Sequence, residues 1–187
     1  MTYRKSDWTF DTSAGAAIGI GPFSLARGMI VLKEPKDGPS RLFSYSTFGM
    51  GLKSYRLSKG FQLPGIPLPR GHELSGTGST SDFWSDGVIF MNQTFQREEL
   101  TLQDFLGGAF IGDFGGGVFV AKNYTAMHVG IPKPLMLASY MNPVFLSLAM
   151  NAAKAIILMK GVSEGLIDGV GLTSSVGSLE YKGTYQG

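Results

Sequence analysis

Two short stretches hold residues that could carry a reaction. In "RGHELSGTGS", His72 stands beside Glu73 and several hydroxyls, a composition that suits a general base or a small-ligand loop. In "GVSEG", Ser163 sits at the centre of a Gly-x-Ser-x-Gly pattern. That pattern exposes a nucleophilic serine when a strand, a sharp turn and a helix follow in this order. Here the flanking residues predict a helix before and a strand after, so the match reads as accidental. "HELSG" lacks the second histidine of the helical zinc-hydrolase motif, and no phosphate-cradling pattern occurs among the 27 glycines. His128, in "YTAMHVG", reads as a structural residue at a strand end. Asp82 with Asp86, and Glu98 with Glu99, read as solvated carboxylates rather than an acid/base pair. Without cysteine there is no thiol chemistry and no thiolate metal site. No metal or cofactor is expected, and an enzyme is the less favoured reading.

The residues that draw more weight are Ser147, Asn151 and Lys154. They lie in a run opened by twenty uncharged residues, "PLMLASYMNPVFLSLAMNAA" from Pro134 to Ala153. Asn142 followed by Pro143 is a helix-start signal, and Lys160 followed by Gly161 is a stop signal. Together they predict a helix over 143–160, about 27 Å long at ~1.5 Å per residue. Ser147, Asn151 and Lys154 would form one narrow polar stripe on it, and the rest of its circumference would be apolar. Lipid or protein must surround such a helix. Lys154 would cost roughly 2.5–3.5 kcal/mol at a bilayer centre, which favours a core helix at rest and argues against a permanent transmembrane segment.

The elements around this segment read as strands. "TSAGAAIGIG" alternates Ser13, Gly15, Ala17 and Gly19 against Ala14, Ala16, Ile18 and Ile20, the two-residue period of a pleated strand. "KEPKDGPS" predicts a turn between two strands. In "ELTLQDFLGG", Thr101 and Asp104 predict a short capped helical turn. A strand pair is expected around Gly115–Gly117. The fold expected is a single β-rich α+β domain over 1–187: a curved or barrel-like antiparallel sheet packed around the long apolar helix. Its parts are strands over 12–60, an exposed loop over 64–81, strands over 86–130, the helix, and a C-terminal strand over 165–182. The small-residue faces near 12–21 and 165–180 are expected to let that helix lie close.

Charge is low and uneven. The chain is 16% charged and 43% hydrophobic, against about a quarter charged in ordinary domains. Residues 1–70 hold ten Lys/Arg against four Asp/Glu, and residues 71–121 hold one against seven. A basic N-terminal face suits anionic lipid or an acidic partner. Nucleic acid is not expected, because the basic residues are scattered and lack stacking aromatics beside them.

The order "SAGAAIGIG", "ELTLQDFLGGAFIGDFGGGVFV", "AAKAIILMKG" and a Gly-rich final strand resembles small bacterial proteins found alongside type VI secretion genes. The resemblance implies an effector acting between competing bacteria, made in the cytoplasm and exported without a signal peptide. Two readings stay open. One is an antibacterial toxin acting on membranes, by pore formation or depolarisation through the apolar helix, with target lipid, a cognate immunity or secretion-apparatus protein, and further copies of itself as partners. The other is a soluble, non-enzymatic binding module: an effector adaptor, an immunity protein or a small-ligand barrel.

Overall fold

The computed structural model describes residues 3–20, 23–51, 86–115, 120–164 and 171–186; toward the far ends of the strands the description is of backbone pairing. Among the described residues eight strands run β1 (Arg4–Ile20), β2 (Phe23–Lys33), β3 (Ser40–Gly51), β4 (Asp86–Met91), β5 (Gly107–Gly115), β6 (Val120–Ile131), β7 (Ala155–Glu164) and β8 (Gly171–Thr184). They close a barrel in the order β1-β2-β3-β8-β5-β6-β7-β4, with every neighbouring pair antiparallel. The β-rich reading and the barrel are thus present. Closure leaves no unpaired strand edge.

The near end of the barrel carries Arg4, the turn over 34–39 and residues 92–106. Eight strands enclose a space that side chains can just fill, and here apolar ones fill it: Trp8, Ile30, Leu32, Phe43, Met127, Ile157 and Leu179 are all buried there. Helix α1 (Leu102–Phe105) closes this end. Its Phe105 packs edge-on against Trp8, ring centroids 4.8 Å apart, and the Trp8 Nε1–H donates to the Leu100 carbonyl at 2.9 Å. The Thr101 amide and hydroxyl both donate to the Asp104 carboxylate, at 2.9 and 2.7 Å, the capped turn its spacing predicts. The Pro-Asp-Gly hairpin turn also forms: Gly38 N–H donates to Pro35 O, and Lys36 and Asp37 both take positive φ of 57°.

The predicted helix over 143–160 does not form as one element. Pro143–Phe145 is a 3-10 turn, α3 spans Leu146–Ala152, and β7 begins at Ala155. The cause lies in the run Ala155-Ile156-Ile157-Leu158-Met159, in which every residue is buried. Ala155, Ile157 and Met159 line the interior cluster, whereas Ile156 and Leu158 have the opposite parity on the strand. A strand buried on both faces reads as continuously apolar, without the period that separates strand from helix. The layering is also inverted relative to expectation. The described interior is filled by the barrel's own side chains, and a second helix, α2 (Lys133–Met141), pairs with α3 outside the wall.

The helix lies close on a glycine, but at another position than expected. A Cβ on Gly108 of β5 would come within 2.9 Å of Met136 Cβ on α2. On β8, Gly177 instead admits the β3 backbone, since a Cβ there would run into the Ser46 carbonyl. The strand expected over 165–182 is β8, and the loop expected over 64–81 lies outside the described residues.

Candidate functional site

The helical hairpin α2–α3 is apolar on two sides. Its underside, with Met136, Ala149, Met150 and Ala153 buried, packs on Phe110 and Ile131 of the wall. Its outer side leaves Leu137 63%, Met141 80%, Val144 79%, Phe145 41% and Leu148 55% exposed. A surface helix normally turns polar residues outward. Here large apolar side chains stand in their place, on a segment (132–154) that carries Lys133 and Lys154 and no carboxylate.

Polar side chains from other elements hold the hairpin in position. The buried Asn92, just past β4, donates its amide N–H groups to the carbonyls of Met150, Asn151 and Ala153 at 3.3, 3.1 and 2.8 Å. These are the carbonyls that a helix C-terminus leaves without partners. Asn142 accepts the Val144 N–H at 3.0 Å and so caps the turn into α3, as its place before proline predicts. At the exit, Lys154 donates its N–H to Val129 O at 2.9 Å and its ammonium to Asp104 at 3.1 Å. The Asp104 carboxylate is 1% exposed and also pairs with Arg97. Burial alone would raise its pKa, but bonds from the Thr101 hydroxyl and amide and from Lys154 hold it below the usual carboxylate range.

His128 lies in the covered wall. It pairs across the sheet with Phe110 on β5 and Ile156 on β7, and its ring stands 5.9 Å from that of Phe110, edge to face. It is fully buried, and neither ring nitrogen has a hydrogen-bond partner. Burial drives its pKa down to about 4, so the ring is neutral at pH 7. It lies within the strand rather than at a strand end.

The residues singled out from the sequence are not gathered into one site. Ser147 and Asn151 are exposed on α3, whereas Lys154 lies beyond its end and is committed to Asp104. The single polar stripe is therefore replaced by two exposed residues and an ion pair. His72 and Glu73 lie outside the described residues. Ser163 is in strand β7, where its backbone pairs with Ala121 of β6, and the residues that follow the strand, 165–170, lie outside the described ones. Glu99 is structural, accepting from Ser6 Oγ and the Asp7 and Leu100 amides. Among the described residues, no group of three or more His, Asp or Glu could hold a metal ion. Sequence reasoning missed Asn92 and Asp104 as anchors because their partners lie 50 to 61 residues away.

No family model, no curated protein and no solved structure matches the chain.

Proposed function

We propose that the protein acts at a membrane surface and docks there through the outer side of the α2–α3 hairpin. The observation that carries this reading is the row Leu137, Met141, Val144, Phe145 and Leu148, exposed on a segment whose only side chains charged at neutral pH are two lysines. Fully burying such a side chain contributes ~1.5–3 kcal/mol, so completing the burial of these half-exposed ones contributes roughly 1 kcal/mol each. Five of them give about 5 kcal/mol, comparable with one myristoyl chain, which supports reversible association and no more. In the setting implied by the resemblance to secretion-associated proteins, the membrane is that of a competing bacterium. The route through an emerging helix 143–160 is not part of this reading, because that segment is divided between α3 and β7. No helix among the described residues is long and apolar enough to cross a membrane, which does not bear on crossing by strands.

The binding-module reading survives in one form: the same outer side docking on a protein. A small-ligand barrel has less support, because side chains occupy the described interior. Co-sedimentation with vesicles of about 30% anionic lipid tests the proposal. The double variant Met141→Asp, Leu148→Asp changes exposed positions and should alter stability by less than about 0.5 kcal/mol each. It is expected to partition roughly 100-fold less than the native chain, from two lost apolar contacts and two added repulsions. Equal partitioning of both proteins, or none by either, overturns the reading.

A further inference from the structure

Among the described residues, the His128 imidazole alone is buried with its polar atoms unpartnered. Its strand neighbours Met127 and Val129 belong to the barrel interior, so by alternation the imidazole points outward. Phe110, whose ring meets it edge to face, belongs to the cluster that the hairpin covers. Helix α3 lies against β6, and α2 against β5 and β8. The imidazole is thus enclosed between wall and hairpin, and water reaches it when one of the two gives way. From the wall side, the ladders of β6 with β5 and β7 would have to part within a closed barrel. From the other side the hairpin need only lift, against the small cluster beneath it and the Asn92 bonds to its carbonyls. The second route breaks far less structure, and local openings follow the cheaper route.

A proton on the covered imidazole finds no countercharge. Helix α3 and the 3-10 turn before it carry no titratable side chain, and α2 carries Lys133 and Tyr140. Lys133 acts on Glu180 of β8. On the same strand Lys182 pairs with Glu180, and Tyr181 bonds Arg41. At the near edge Asp104 of α1 is committed to Lys154, Arg97 and Thr101. Asp113 on β5, Lys122 and Tyr124 on β6, and Lys160 and Glu164 on β7 stand toward the far end, and none is paired across the ladder with His128. Burial drives the imidazole pKa from its ordinary 6.5 down to about 4, so an uncovered His128 takes up a proton where the covered one refuses it. No other unperturbed side chain changes charge between pH 5 and 8. The second histidine, His72, lies outside the described residues.

We infer that protonation of His128 releases the α2–α3 hairpin from the barrel wall while the barrel stays closed, so that mild acid adds the hairpin's underside to the surface offered to lipid. The release stands on the placement of the imidazole; its lipid half rests on the membrane reading above. A lifted hairpin presents Met136 and Met150 beside its exposed outer row and bares Phe110 and Ile131 on the wall. In water that apolar exposure opposes opening and keeps the hairpin down at neutral pH. Against a bilayer the opposition disappears, and the freed imidazolium is drawn to anionic headgroups. Lys154 stays tied to Val129 O and Asp104, so the hairpin remains tethered at its exit. With the ring titrating at 6.5 when uncovered and about 4 when covered, the open-to-closed ratio rises ~20-fold between pH 7 and pH 5.

Hydrogen exchange of the full-length native chain and of His128→Leu, at pH 7 and pH 5 without lipid, reads the opening as protection factors, from which the pH dependence of exchange chemistry is removed. Protection over 146–152 is expected to fall ~20-fold in the native chain and to stay within about twofold in the variant. Amides of β2 and β3 are expected to remain better protected than those of α3 at both pH values. Equal falls in both proteins, no fall in either, or one protection factor shared by α3 and the strands overturns the inference. The same proteins are then sedimented with vesicles of about 30% anionic lipid, where native partitioning is expected to rise ~10-fold or more at pH 5 and the variant's to stay level. Opening without that rise overturns the lipid half alone if the native chain binds at pH 7, and the membrane reading with it if the chain binds at neither pH. If His128→Leu fails to fold, His128→Met replaces it in both arms.

Discussion

His128 shows how one residue couples acidity to the wall that carries the hairpin. Its ring is neutral in the fold and titrates near 6.5 when unfolded, so acid favours the unfolded state. Between pH 6.5 and about 4 the unfolded chain takes up a proton that the fold refuses, and stability falls; below about 4 both states are protonated and the loss levels off. The full difference corresponds to about 3 kcal/mol. Asp104 acts lower on the scale. Its folded pKa is depressed, so its contribution is present above the unfolded value of 3.8 and fades as pH falls below it. Elements packed around His128 bring few other titratable groups: α3 has none, α2 has Lys133 and Tyr140, and Asp104 and Lys154 are paired with each other. The variant His128→Leu should therefore lose most of the stability change between pH 7 and 4.5. Urea midpoints at the two pH values check this; a variant as acid-sensitive as the native chain would move the cause elsewhere.

At the scale of elements, the hairpin is held by hydrogen bonds from outside itself. Asn92→Ala strips three carbonyls at the α3 terminus of their shared donor, at a cost of about 2 kcal/mol. Local opening of 133–153 should rise roughly 30-fold and be read as faster limited proteolysis there, with the barrel strands still protected. Unchanged cleavage would mean that the apolar underside alone holds the hairpin. The same elements separate what is legible in a sequence from what is not. Alternation in "TSAGAAIGIG", the Pro-Asp-Gly turn and the Thr101–Asp104 cap are local signals, and each marks its element. The run over 155–159 carries no period, because interior and cover bury alternate residues, so a strand there could not be told from a helix. Insertion of β8 between β3 and β5, and of β4 between β7 and β1, depends on contacts between distant segments and has no local trace. The hairpin was legible only as an apolar stretch. Which of its sides would stay uncovered depends on a wall built from β5, β6 and β8.

For the whole molecule, the sealed near end and the exposed outer side of the hairpin present two unlike surfaces. Its near end is sealed by Trp8, Phe43 and Phe105 and faced with charge, as suits water. Its hairpin is the part that would gain from lipid. The sealed near end also predicts that a bound protein leaves vesicles impermeable to ions, since the interior route is packed with side chains. A steady conductance from the native chain would require that core to open.

Hydrogen exchange of the native full-length chain, with and without anionic vesicles, tests the central claim most directly. The account predicts slowed exchange over 133–153, with no change at 4–11 and 178–184. Protection at the near end instead, or exchange that vesicles leave unaltered throughout, would contradict it.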